Sequence, residues 1–335
     1  MHAILAAPEC ASYLARELPA GAATAADGDW LGAECLPAPP VLAFARQVLP
    51  NATTCSAATV SEWADALLKL IFERIPPGSG WRLHVWPAYG SERAGEFRCK
   101  LIRETLIKKL KKTAHGLLKR CESGTGPFGT QTSLVQAALT APDAGWISAC
   151  AAPEAYELRA VVSSFEGGEV PVAEDKAAPS RAFSKLVEAE ARLGRQIAAG
   201  ESCVDLGAAP GSWTYVAAQR GARVVAVDRS ALREDLMASK LVRFQQGDAF
   251  KYVPTEPVDW LLCDVIAAPQ RSMNLLQEWL AGKRMRRFVV TLKFKGDTEY
   301  GLLEELKRQA APLCRDFRLT HLCANKNEVC AYGEV

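Results

Sequence analysis

The chain has 335 residues, 49% of them hydrophobic and 23% charged, with a formal charge of +2. That length suits roughly two domains of ordinary globular composition and excludes disorder throughout. Eleven cysteines scattered from Cys10 to Cys330 without a Cys-x-x-Cys pair, beside only four histidines, argue against a zinc, haem or disulfide scaffold.

The opening Met-His-Ala-Ile-Leu-Ala-Ala-Pro lacks the basic start and long apolar core of a signal peptide. No later run approaches the ~18 apolar residues of a membrane span, so a soluble cytoplasmic protein with no membrane partner is expected. Strand-like runs at 3–7, 81–85, 133–139 and 158–162 are interspersed with helical spacing at 10–18, 60–75 and 97–118. The mixture predicts a small α+β region over residues 1–165. Within it, Arg98, Lys100, Arg103, Lys108, Lys109, Lys111, Lys112, Lys119 and Arg120 are relieved only by Glu104. Ile102, Leu106 and Leu110 recur every fourth residue, so one helix would bury them and spread the cations outward. Such a face suits phosphate contacts, which supply affinity and salt dependence but little sequence information. Trp81 and Trp86 are expected in the core rather than as base-stacking platforms. Residues 166–179 have linker composition.

Residues 180–335 alternate in type. A helix is predicted from Ser180, its N-cap after Pro179, past Leu193. Strands follow at 203–207, 223–228, 242–245, 258–265 and 287–293, with helices at 212–221, 269–280 and 299–313 between them. Two closing strands are predicted at 317–323 and 329–332. Strands separated by helical patterns imply βαβ units in an α/β, doubly wound Rossmann-like sheet.

Asp205-Leu206-Gly207-Ala208-Ala209-Pro210-Gly211 occupies the first strand-to-helix turn of that array. Glycine is suited there because the chain must turn tightly and let a ligand approach backbone N–H groups. A dinucleotide site would need Gly-x-Gly-x-x-Gly, which is absent, and Pro210 removes an amide donor. Asp228 ends the second strand, Asp248 follows the third and Asp264 ends the fourth. Acids at successive carboxyl ends of strands lie where open α/β sheets bind ligands. An acid-rich rim suits a positively charged sulfonium cofactor, S-adenosyl-L-methionine, better than a pyrophosphate. Asp228 could accept from ribose hydroxyls and Asp248 from an adenine amino group.

Lys185, Asp264, Lys293 and Glu328 each fall near the edge of a predicted element. Two lysines and two carboxylates in such a frame are what methylation of a ribose 2′-hydroxyl needs. The hydroxyl is a poor nucleophile, so a base must take its proton while the oxygen is held in line with the methyl carbon. For a lysine to act as that base, its pKa must fall toward neutrality, a change worth ~4 kcal/mol. Lys293, directly continuing an apolar strand, is assigned as the base. Lys185 supplies a neighbouring charge, Asp264 orients the base and Glu328 positions the second lysine.

Pro179-Ser180-Arg181, Lys185, the 205–214 loop, Cys263-Asp264, Leu292-Lys293 and Asn327-Glu328-Val329 together resemble the RlmM family. These are bacterial methyltransferases with an FtsJ-like catalytic domain that modify a cytidine 2′-hydroxyl of large-subunit ribosomal RNA. Phe44-Ala45-Arg46-Gln47 also resembles a family segment, and residues 81–112 sit where the family carries its THUMP RNA-binding domain. The resemblance implies cofactor contacts from Asp205, Gly207, Ala209, Pro210, Gly211, Ser212, Asp228, Asp248 and Asp264, with Lys293 as proton acceptor. It implies a catalytic domain over 180–335 and, as partner, 23S ribosomal RNA or a large-subunit precursor, with no obligate protein partner evident. Ser212 stands where the family usually has a second glycine, and Ala182 where it has a cofactor-contacting serine. Alternatives are the same chemistry on transfer or messenger RNA, and an inactive RNA-binding relative.

Overall fold

Small and β-branched residues dominate the N-terminal strands, which a computed structural model, described over residues 1–90, 95–296 and 299–335, arranges in two four-stranded sheets. The chain divides into two units, Met1–Pro40 with Phe44–Glu169, and Val41–Ala43 with Val170–Val335.

In the first unit the order is β1 (His2–Ala6), α1 (Ala11–Glu17), β2 (Ala23–Asp27), β3 (Trp30–Ala33), β4 (Ala45–Leu49), β5 (Thr53–Ser56), α2 (Val60–Arg74) and β6 (Gly80–Pro87). It continues with α3 (Glu96–Thr113), α4 (His115–Leu118), β7 (Thr132–Ala141), β8 (Ala144–Cys150) and α5 (Ala152–Glu157). One sheet runs β2-β3-β1-β4 and the other β5-β8-β7-β6. Thr59 starts α2 with a capping box, its hydroxyl accepting from Glu62 N at 3.2 Å while Glu62 returns to Thr59 N at 3.2 Å. Trp63, Leu67 and Ile71 of α2 share a buried cluster with Ile102, Leu106 and Leu110 of α3. Lys100, Lys108, Lys111, Lys112 and Lys119 are exposed, whereas Lys109 pairs with Asp65 at 2.6 Å and Arg103 with Glu166. Trp81 and Trp86 are buried.

Two expectations fail in this unit. The helix predicted over 97–118 breaks at Ala114, whose φ of −153° lies outside the helical region. Residues 158–162, read as a strand, form a turn that prolongs α5, with Val161 N and Val162 N both donating to Leu158 O. A short apolar run has no period to separate a strand from a buried turn. The predicted linker is also divided: Glu166–Gly168 makes a 3₁₀ turn in the first unit, and from Val170 the chain belongs to the second.

The second unit contains α6 (Phe183–Leu193), β9 (Ser202–Leu206), α7 (Ser212–Gln219), β10 (Arg223–Asp228), α8 (Glu234–Met237), β11 (Val242–Gln246) and β12 (Val258–Cys263). After these come α9 (Pro269–Ala281), β13 (Met285–Lys293), α10 (Leu302–Ala310), β14 (Asp316–Thr320) and β15 (Glu328–Glu334). The seven strands lie in the order β11-β10-β9-β12-β13-β15-β14, parallel through β13, with β15 antiparallel to both of its neighbours. This is the expected Rossmann-like sheet. The chain runs outward from β9 on one side and then returns to β12 on the other, which opens a crevice at the carboxyl ends between them.

Trp260, Leu261, Leu262 and Cys263 are all 0% exposed, as a strand covered on both faces requires. The strand predicted to reach residue 265 stops at Cys263, so Asp264 and Val265 leave the sheet at the crevice. The helix predicted from Ser180 starts at Phe183; Ser180 Oγ accepts instead from Ala182 N at 3.2 Å, ahead of the first turn. Among the described residues no helix is long and apolar enough to cross a membrane.

Candidate active site

The four residues singled out by their charge converge. Lys185, in the first turn of α6, places its ammonium 3.1 Å from Asp264 Oδ2 and 2.7 Å from Glu328 Oε1. Lys293, the last residue of β13, reaches Asp264 from the other side, 2.9 Å from Oδ1, and donates to the Asp264 carbonyl oxygen at 3.0 Å. Glu328 opens β15 and is the cross-strand partner of Lys293. The antiparallel direction of β15 is what brings its first residue, rather than its last, to the carboxyl end of β13.

The two ammonium groups differ in setting. The Lys185 side chain is 10% exposed and the Lys293 side chain 23%. Burial alone would lower the Lys185 pKa, but the Asp264 and Glu328 carboxylates outweigh it and hold the group above its ordinary value. Lys185 is therefore a permanent cation at neutral pH. Lys293 is the more exposed of the two.

Thr291 and Asn325 belong to this site and were missed from the sequence. Thr291 Oγ1 donates to Asp264 Oδ1 at 2.6 Å and is fully buried. Its signal was the two-residue spacing to Lys293, which puts both on one face of β13. Asn325 Nδ2 donates to Glu328 O at 2.9 Å and so fixes the start of β15; its Oδ1 is buried without a partner. No periodic signal marks a residue in that loop.

On the neighbouring stretch of the rim, the turn after β9 carries Gly207, Ala209, Pro210, Gly211 and Ser212. Gly207 has φ +74°, and a Cβ there would lie 2.5 Å from Val265 Cγ2, so the residue after Asp264 packs directly on the loop. Asp228, at the end of β10, accepts from Ala209 N at 3.0 Å and from Ser230 N at 2.9 Å, which ties the loop to the acid. Asp248 accepts from Phe250 N at 3.0 Å and from Arg229 at 3.0 Å. The Phe250 N–H first, then Arg229, hold its carboxyl below the usual range.

Asp205 differs from the other acids. It is 1% exposed and accepts from Thr214 Oγ1 at 2.6 Å, so its side chain faces the interior rather than the rim. Burial raises its pKa to about 7, against the pull of the Thr214 hydrogen bonds. Ser212 is likewise buried, its hydroxyl 2.7 Å from Ser180 Oγ.

These residues fit a sulfonium nucleoside. Helix α7 starts at Gly211 with no side chain capping its N–H groups, which leaves donors for a carboxylate. Asp228 and Asp248 supply acceptors for hydroxyl and amino groups along the same rim.

Residues 178–294 match the FtsJ-like methyltransferase family. Over 300 residues the chain is 30% identical to ribosomal RNA large subunit methyltransferase M of Thauera aminoaromatica, an alignment covering 86% of this chain and 78% of that one. The protein of the same name from Alkalilimnicola ehrlichii is 33% identical over 265 residues, 77% of this chain and 69% of that one. The chain belongs to the ribosomal RNA large subunit methyltransferase M family. A third member, from an Azoarcus species, is 39% identical over 166 residues, covering 46% of each chain. In this member of the methyltransferase M family, Lys185, Asp264 and Lys293 lie inside the FtsJ-like match, whereas Glu328 lies beyond it.

Proposed function

We propose that the chain transfers the methyl group of S-adenosylmethionine to a ribose 2′-hydroxyl of 23S ribosomal RNA, at a cytidine, in the cytoplasm. The observation that carries the proposal is the convergence of Lys185, Asp264, Lys293 and Glu328 beside an acid-rimmed loop. Lys293 takes the proton of the 2′-hydroxyl as the oxygen forms its bond to carbon. Its Nζ is aimed by two acceptors of one residue, Asp264 Oδ1 and the Asp264 carbonyl oxygen. Lys185, held charged by two carboxylates, keeps a positive field at the site. Thr291 and Asn325 act through Asp264 and Glu328, and are positioning residues.

S-adenosylmethionine, when bound, supplies an electrophilic methyl carbon on a positively charged sulfur. Ala209, Pro210, Gly211 and Ser212 would hold it by backbone along the loop, and Asp228, Asp248 and Asp264 by side chain. Asp205 shapes the turn from beneath through Thr214. The N-terminal unit is read as the RNA-docking, THUMP-like part, its contact the exposed lysines of α3; residues 91–94 of the 81–112 segment lie outside the described residues.

The test is Lys293→Ala, assayed for methyl transfer to 23S ribosomal RNA and for S-adenosylmethionine affinity by calorimetry. Loss of a positioned base should lower turnover by about 10²–10⁴-fold with the cofactor isotherm nearly intact. Near-normal turnover would remove Lys293 from the mechanism.

A further inference from the structure

Every other parallel connection of the large sheet carries an α-helix, but residues 247–257, which lead from β11 back across β10 and β9 to β12, form only a 3₁₀ turn, Ala249–Lys251, and loop. A groove of about 540 Å³ lies at the amino ends of these strands, where Ser202, Arg223, Val242 and Val258 begin them. It is at the opposite end of the sheet from the crevice holding Asp264, about 15 Å away along a five-residue strand.

The lining has a consistent chemistry. Val225 and Arg243 are cross-strand partners, and Arg223 lies two residues before Val225 on the same face. Strand geometry places the Arg223 and Arg243 Cα atoms about 8 Å apart. Lys240 adds a third cation and Tyr252 a half-buried ring, against a single acid, Glu256. Arg223 donates to Gly200 O at 3.2 Å, while Lys240 and Arg243 form no ion pair among the described residues and are exposed. Unpaired cations around an apolar, partly uncovered sheet edge complement a polyanion with flat apolar rings.

We infer that this groove docks a single-stranded phosphodiester segment of the RNA substrate, remote from the nucleotide that is methylated. The inference rests on the RNA methyltransferase reading above and adds to it a second contact surface in the catalytic unit. Lys240 and Arg243 neutralise phosphates, and Tyr252 offers its face to a base. Because the contact is remote from the reacting oxygen and equal before and during reaction, its loss falls on KM rather than kcat.

The experiment uses the full chain with deproteinised 23S ribosomal RNA, comparing wild type with Lys240→Gln/Arg243→Gln. The slope of log affinity against log salt should become shallower by about 1.4, at ~0.7 per cation for a single strand. Affinity at low salt should fall about tenfold, with KM for RNA rising in step. An unchanged S-adenosylmethionine isotherm shows that the variant is folded; Lys240→Glu/Arg243→Glu should deepen the loss. If wild type binds the RNA and the variants match it in affinity and slope, the inference is overturned and the groove suits an acidic protein instead. If wild type has no affinity for the RNA, the function proposed above fails as well, which keeps the two failures apart.

Discussion

Replacing Lys185 with Met tests whether the buried cation organises the site. The ammonium sits between Asp264 at 3.1 Å and Glu328 at 2.7 Å, with side-chain exposures of 16% and 13% for the two acids. Removing the ammonium strands the Glu328 carboxylate and leaves Asp264 with Lys293 and Thr291, at a cost of about 3–5 kcal/mol, whereas an exposed pair would cost ~1 kcal/mol or less. Lys185→Met should therefore lower the unfolding free energy from urea titration by about 3–5 kcal/mol at pH 7. The pH dependence has a definite sign. The folded pKa of Lys185 lies above its ordinary value of 10.5, so its contribution is complete below that value and is lost as pH rises through the folded pKa. The gap between wild type and variant should stay constant from pH 7 to 10 and shrink above. Glu328→Gln in the Lys185→Met background removes the stranded charge and should recover part of the loss, a coupling of about 1–3 kcal/mol. A loss below ~1 kcal/mol, with no coupling, would mean that the ammonium is not held as described.

Asp205 should give a pH dependence of the same sign in a lower window. Its folded pKa of about 7 exceeds the ordinary 3.8, so stability falls as pH rises between those values, by up to ~4 kcal/mol; Asp205→Asn should flatten that slope in denaturation at pH 5 and pH 8. Gly207→Ala forces a Cβ to 2.5 Å from Val265 Cγ2 at a φ of +74°, and should cost about 1–3 kcal/mol and weaken S-adenosylmethionine binding in calorimetry. Thr291→Val should leave the fold within ~2 kcal/mol while lowering kcat and shifting its pH profile, because the Asp264 carboxylate loses its 2.6 Å donor; an unchanged profile would make Thr291 purely structural. Replacing Lys108, Lys111 and Lys112 with Gln should reduce the salt slope of RNA binding by about 0.7 per residue, with cofactor affinity unchanged.

The catalytic unit was more legible than the N-terminal one for a physical reason. Buried parallel strands such as Trp260–Cys263 leave unbroken apolar runs, and the helices between them carry their own period. In the first unit, β2 (Ala-Thr-Ala-Ala-Asp), β3 (Trp-Leu-Gly-Ala) and β5 (Thr-Thr-Cys-Ser) are four or five residues of mostly small side chains, with neither length nor alternation to declare them. At the site, charge in an apolar context marked Lys293, and position relative to predicted strands marked Asp264. The side-by-side placement of Lys293 and Glu328 follows from the register of an antiparallel pair, which local sequence does not specify. The inward turn of Asp205 was invisible for a similar cause: its partner Thr214 lies across the turn, on α7.

The insertion of β15 between β13 and β14 has a consequence for partial structures of this enzyme. Because the ion cluster draws on the first helix of the unit and on its last strand, neither a nicked fragment nor a half-folded intermediate can display it. Any species that displays the assembled cluster has therefore already brought the two ends of the catalytic unit together.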